Sequence, residues 1–197
     1  MVEARARGLL GPGPVESHLD HALGFAAALE WPFSGVALDL GSGGGIPGLV
    51  LALRWRQSRW TLLDARSRSV RFLRAAVEAL GLGARVAVIE ARAESLAHER
   101  GFRGSAGLVV ARACGPPAVT AEYAAGFLEQ GGRLVVSEPP GSTGDRWSPA
   151  GLAVLGMGAA WVVASPGGHG FAVIEQRAAC PCTYPRRAGV PAKRPLF

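Results

Sequence analysis

Asp39, Gly41, Gly43 and Gly45 alternate along a run that ends at Gly48, and Asp64 follows Asp39 by twenty-five residues. Two carboxylates around a glycine-rich turn suit a nucleoside ligand. Glycines admit backbone angles, and a closeness of approach, that a side chain would block. An acidic residue about 20 positions beyond such a turn is placed to accept ribose hydroxyls. Two frames of the turn compete. Gly43-x-Gly45-x-x-Gly48 fits the dinucleotide fingerprint, in which a pyrophosphate meets bare N–H groups at a helix N-terminus. Asp39-x-Gly41-x-Gly43-x-Gly45 sets a carboxylate just ahead of the turn. That charge would repel a pyrophosphate, but it would attract the ammonium and sulfonium of S-adenosylmethionine. Asp64 serves either cofactor, so Asp39 decides between them, in favour of S-adenosylmethionine over NAD. Both carboxylates also have a structural reading, Asp39 as a turn cap and Asp64 as a helix N-cap.

The elements that must position these residues follow from hydrophobic period. Residues 36–40 read as a buried strand that runs into the glycine turn, and a helix follows to about residue 56, with Pro47 in its first turn. A second strand over 60–63 ends at Asp64, and Ser67 can cap the next helix. In that helix Val70, Leu73, Val77 and Leu80 form an apolar stripe, and Gly81 stops it. Further strands are expected at 86–90, 108–111, 134–137, 161–164 and 171–176, with helices at 15–29, 93–98 and 117–128. Gly131-Gly132 leads into the fifth strand. Alternating strands and helices imply a parallel sheet with right-handed crossovers. The last two strands are joined by too short a loop for a parallel crossover, so they form an antiparallel hairpin at one edge. The fold class is therefore α/β. It is a Rossmann-like, seven-stranded, mostly parallel sheet with a terminal antiparallel hairpin, the architecture of S-adenosylmethionine-dependent methyltransferases.

At 197 residues, 49% hydrophobic and 18% charged, the chain can bury a core and is not a disordered polypeptide. Residues 1–14, which end in Gly-Pro-Gly-Pro, are expected to be loose. Residues 15–180 are expected to form the catalytic domain, and 181–197 a basic, proline-rich tail on or beyond its surface. A net charge of +6 favours a polyanionic partner, nucleic acid ahead of membrane. Cys114, Cys180 and Cys182 make neither a disulfide framework nor a metal-ligand spacing. His18 and His21 read as surface or capping residues rather than a metal pair. No apolar run approaches the roughly 18 residues of a membrane span, and no signal peptide is apparent. A cytoplasmic protein with neither membrane nor metal is expected.

Several stretches, in one order, resemble a known family. They are Asp39-Leu-Gly-Ser-Gly-Gly-Gly-Ile-Pro-Gly48, Leu62-Leu-Asp-Ala-Arg-Ser-Arg-Ser-Val-Arg-Phe-Leu73, Ala91-Arg-Ala-Glu94, Ala111-Arg-Ala113 and the tail from Tyr184 to Leu196. Together they are similar to the bacterial ribosomal RNA small subunit methyltransferase G family, also called glucose-inhibited division protein B. The resemblance implies methylation of N7 of a guanine in the 530-loop region of 16S rRNA, with 16S rRNA or the small ribosomal subunit as partner. It implies that Gly41, Gly43, Gly45 and Ile46 line the methionine and adenosine. Asp39 would stand near the cofactor's positive charge, Asp64 would accept the ribose hydroxyls, and Ala93 and Glu94 would contact the adenine. Arg112 would be a cofactor-site and catalytic residue. Arg92, Arg186, Arg187, Lys193 and Arg194 would contact RNA. The family's N-terminal helical segment, with its Trp-Asn and Asn-Leu-Thr pattern, is not represented in these residues. Rival readings are a methyltransferase of this fold acting on another RNA or a small molecule, and a non-catalytic RNA-binding homologue.

Overall fold

The computed structural model describes residues 1–29 and 32–197. In chain order the elements are α1 (Val2–Ala6), α2 (Val15–Ala27), β1 (Gly35–Leu40), α3 (Gly48–Arg54), β2 (Ser58–Asp64), α4 (Ser67–Ala79), β3 (Val86–Glu90) and α5 (Ala93–Leu96). They continue with β4 (Ala106–Ala111), α6 (Pro117–Ala125), β5 (Leu128–Glu138), α7 (Pro149–Val154), β6 (Trp161–Ala164), β7 (Gly170–Glu175) and α8 (Val190–Lys193). One sheet has the order β3-β2-β1-β4-β5-β7-β6. The pairs β1–β2, β2–β3, β1–β4 and β4–β5 are parallel, and β7 runs antiparallel to both β5 and β6. Strand order reverses between β1 and β4, and the carboxyl ends of strands at such a switch point form a ligand crevice.

Both faces of the sheet are buried, and alternate residues of each strand feed opposite layers. Ala37, Leu62, Leu108, Val110, Val135, Phe171 and Val173 pack with α2, α3 and α4, around Phe25, Leu49, Leu51, Phe72 and Leu73. Leu38, Leu40, Leu63, Val109, Ala111, Leu134, Val136 and Ile174 pack on the other side with α5, α6 and α7, around Phe127, Leu152 and Trp147.

Several expected boundaries move, each for a physical reason. Residues 1–14 are not simply loose: they carry α1, and Ala4 is fully buried in the α2–α4 layer. Gly131-Gly132 does not precede the fifth strand but lies inside it. The β4–β5 register shifts there, and a Cβ on Gly132 would come 2.8 Å from the Ala106 carbonyl, so the strand continues through a bulge. Pro47 is the residue that caps α3 rather than part of its first turn. Ser67 is the first residue of α4 and not its cap; its hydroxyl donates to Glu90 instead. Leu80 lies past the end of α4 and is 44% exposed, so the stripe ends at Val77.

The tail is fastened to the domain. Arg103 donates to the carbonyls of Cys180, Pro181 and Tyr184, and the His98 ring bonds the Pro185 carbonyl. Glu94 accepts from the Gly189 amide at 2.8 Å. The strongest tie is ionic. Glu122 on α6 has no exposed side-chain surface, and Arg186 reaches it with its backbone N–H, Nε and Nη2, the last at 2.6 Å. Arg186 also donates to the Arg194 carbonyl. Arg186, expected to contact RNA, instead commits two nitrogens of its guanidinium to this buried carboxylate. Removing it strands that charge. Arg186→Ala is expected to lower unfolding free energy by about 3 kcal/mol, and Arg187→Ala to change it by less than about 0.5 kcal/mol. Urea unfolding checks both; equal effects would show that the ion pair carries no stability.

Candidate functional site

The glycine turn joins β1 to α3 at the switch point. Gly41, Gly43 and Gly45 have φ of +72°, +51° and +83°, a region that other L-residues enter only with strain. The amides of Gly41 and Ser42 both donate to the Leu63 carbonyl at 2.9 Å, which pins the turn to β2. Asp39 lies beneath the turn, 1% exposed, with Oδ2 accepting the Gly48 amide at 2.9 Å. That amide opens α3 and has no partner within the helix. A Cβ on Gly48 would stand 2.5 Å from Asp39 Oδ2 and 2.6 Å from Leu62, so only glycine fits. Burial pushes the Asp39 carboxyl up to about 7, against the opposing hydrogen bonds from Gly48 and Ser42. Of the two readings open for Asp39, the turn cap describes its geometry. Its carboxylate is spent inside the turn and does not line the grooves described below.

Asp64 ends β2 with 4% of its surface exposed. Its Oδ2 accepts the Gly43 amide at 2.9 Å, and its Oδ1 accepts the Arg66 amide at 2.8 Å. It thus braces the turn and holds the amide of Arg66, the residue ahead of α4, which has no side-chain cap. The Arg66 side chain adds two longer contacts, at 3.3 and 3.4 Å. Burial would raise the Asp64 carboxyl, but the Arg66 and Gly43 bonds outweigh it and hold the group below its usual value. The carboxylate is therefore ionised at neutral pH, and the exposed Arg66 arm is the part a ribose could displace.

Two grooves flank the turn and share Gly41. One, of about 220 Å³, is lined by Leu40, Gly41, Asp64, Ala93, Glu94 and Tyr123, with Arg92 and Cys114. The other, of about 230 Å³, is lined by Gly41 to Gly44, Ile46, Arg66 and Arg112, and by Leu9, Leu10 and Gly11. Gly45 turns away: a Cβ there would strike Leu49, so it serves packing. Glu94 is 3% exposed and bonded to the Tyr123 hydroxyl as well as to Gly189, which ties the first groove to the tail. Burial raises the Cys114 thiol to about 12, and burial with the nearby Glu94 raises Tyr123 to about 12. Neither supplies an anion near neutral pH, so both act as wall.

Arg112 ends just past β4, half-buried, and its Nη2 lies 2.8 Å from His18 Nδ1. Burial lowers its pKa, and Asp39 opposes that. His18 is 5% exposed, which overturns the surface or capping reading. His21 is half-buried, and burial followed by Arg112 lowers it to about 4, so it is neutral. Among the described residues no group of His, Cys, Asp or Glu could hold a metal ion. The other sites expected for RNA are scattered. Arg92 is exposed at the rim of the first groove, and Arg187, Lys193 and Arg194 are exposed on the tail. The residues missed from sequence are Leu9, Leu10, Arg66, His18, Cys114 and Tyr123. Only Arg66 and Cys114, each beside an expected site residue, had a local signal.

The chain fits S-adenosylmethionine on these observations: two grooves meet at a side-chain-free residue, and an ionised carboxylate stands at the end of β2. Comparison with known proteins agrees. The sequence profile described as rRNA small subunit methyltransferase G matches residues 13–138. A protein of that name from Moorella thermoacetica is 34% identical over 91% of this chain and 77% of its own length. One from Rubrobacter xylanophilus is 35% identical over 90% and 72%. Among solved structures, a Thermus thermophilus 16S rRNA N2 G1207 methyltransferase, in complex with S-adenosylmethionine and guanosine, superposes with a TM-score of 0.56 and 24% identity, over 86% of this chain and 40% of that one. A Thermotoga maritima S-adenosylmethionine-dependent O-methyltransferase gives 0.61 at 13% identity, over 86% and 68%.

The buried acid makes stability pH-dependent. The Asp39 carboxyl rises from 3.8 to about 7 in the fold, so the folded chain holds a proton that the unfolded chain releases between those values. This contribution to stability is complete below the lower value and is lost as pH rises through the higher one. Asp39→Asn keeps an acceptor for Gly48 and cannot titrate. In urea unfolding without cofactor, wild-type stability relative to Asp39→Asn is expected to fall from pH 4 to pH 7; parallel curves would contradict a buried neutral acid.

Proposed function

The chain belongs to the rRNA small subunit methyltransferase G family, and from that premise we propose that it methylates N7 of a guanine in the 530-loop region of 16S rRNA, using S-adenosylmethionine. The observation that supports this most is the placing of Asp64 and Arg112 on opposite sides of the shared Gly41, one in each groove. The cofactor, when bound, supplies an electrophilic methyl group on a sulfonium. Asp64 accepts the ribose hydroxyls, Ala93 and Glu94 border the adenine, and Gly41, Gly43 and Ile46 give the close approach that the methionine arm needs.

Guanine N7 has a lone pair and carries no proton, so no residue has to act as general base. The protein's task is alignment. Arg112 gives one N–H to His18 and keeps further donors of its planar fork for a base carbonyl such as O6, next to N7. A single donor to O6 leaves the N7 lone pair available. The base must be unpaired or extruded to reach the groove. Exposed Arg187, Lys193 and Arg194 on the tail, and Arg68, Arg71 and Arg74 on α4, form the pool that meets phosphates, at a site in the cytoplasm.

Incubation with methyl-labelled cofactor and small subunits lacking the modification is expected to place label on a guanine N7 of 16S rRNA. Label absent from 16S rRNA contradicts the reading. Arg112→Ala is expected to lower kcat about a hundredfold or more, with RNA affinity within about threefold of wild type. Lost RNA binding with an unchanged kcat contradicts its role.

A further inference from the structure

We propose that His18 is a positioning residue: one imidazole orients the Arg112 guanidinium and holds Gly11, at the end of the segment that walls the methionine-side groove. The inference rests on the placing of Arg112 beside the transferred methyl group. His18 sits on α2, 94 positions before Arg112 in the chain, and both ring nitrogens are used. Nε2 lies 3.1 Å from the Gly11 carbonyl oxygen and Nδ1 lies 2.8 Å from Arg112 Nη2. A carbonyl only accepts and a guanidinium only donates. The proton must therefore be on Nε2 and the lone pair on Nδ1. The other tautomer breaks both bonds, and a doubly protonated ring points an N–H at a cation.

The clasped segment is part of the site. The Arg7 carbonyl accepts from Arg68 on α4, and the Gly11 carbonyl from His18 on α2. Between these ties the Leu9 carbonyl lies over the glycine turn, where a Cβ on Gly44 would come within 2.8 Å. Leu9, Leu10 and Gly11 share the lining of this groove with Arg112. One ring thus reports to both walls. Asp20, two residues along α2, faces His169 at 3.2 Å and does not compete for Arg112.

Substitutions separate the two bonds, because an asparagine oxygen stands near the Nδ1 position and a glutamine nitrogen near the Nε2 position. His18→Ala is expected to lower kcat about tenfold, the loss of one hydrogen bond to a charged group. His18→Asn is expected to recover most of that loss. His18→Gln is expected not to recover it, while its affinity for S-adenosylmethionine, read by calorimetry, stays within about threefold of wild type. Equal falls in kcat for Asn and Gln, tracking a fall in thermal stability, would reduce His18 to a packing residue and overturn the proposal. Nitrogen-15 NMR of the wild-type ring needs no RNA. It is expected to show Nε2 protonated and Nδ1 bare near neutral pH, with the Nδ1 signal moving in Arg112→Ala. A proton on Nδ1 overturns the proposal. If wild-type protein leaves 16S rRNA unlabelled but the ring shows this signature, the clasp is supported and the failure falls on the substrate.

Discussion

The Asp39 carboxylate and the Gly48 amide stand 2.9 Å apart inside the protein, with no room for a side chain between strand and helix. This contact closes the loop from β1 back onto the start of α3. The intervening residues must then reverse within a few positions, which takes the left-handed angles at Gly41, Gly43 and Gly45. Asp64 completes the brace from β2 by holding the Gly43 amide at 2.9 Å. Because both carboxylates serve the turn, the backbone between them is presented to the grooves without intervening side chains. The cost of burying Asp39 shows in its elevated pKa. An acid poised this way next to a cationic ligand is stabilised in its charged form when the ligand binds.

The site is closed by parts of the chain remote in sequence. Residues 9–11 wall the groove that holds Arg112, the tail reaches the groove that holds Asp64 through Gly189 and Glu94, and α2 delivers His18 to Arg112. The sheet supplies only the floor. Arg186, which reads in sequence like its neighbour Arg187, instead ties the tail to α6 through Glu122. This division explains why charge alone does not identify an RNA face: a basic residue is available to phosphate only when no buried carboxylate claims it.

What was legible in the sequence is local. The strand–turn–helix unit at 36–54 follows from a buried apolar run, a glycine cluster and an apolar helix, and Asp64 from the end of the next run. The antiparallel edge follows from loop length. The glycine pair at 131–132 misled because a bulge and a turn use the same residue, and only the Ala106 carbonyl against Gly132 distinguishes them. The direction of the Asp39 carboxylate was not legible, because it depends on an amide nine residues on that folds back over it. The pairs His18–Arg112 and Arg186–Glu122 span 94 and 64 positions, and no periodicity links such distances. Family resemblance located Arg112 and Glu94 but not their partners.

We infer that the braced glycine turn, with Asp64 at its edge, is a cradle for S-adenosylmethionine. Calorimetric titration of the purified chain tests it most directly. One-site binding of S-adenosylmethionine is predicted, weakened about a hundredfold in Asp64→Ala for the loss of a charged acceptor of the ribose hydroxyls, with no heat from NAD. Binding of NAD, or S-adenosylmethionine affinity indifferent to Asp64, would contradict it.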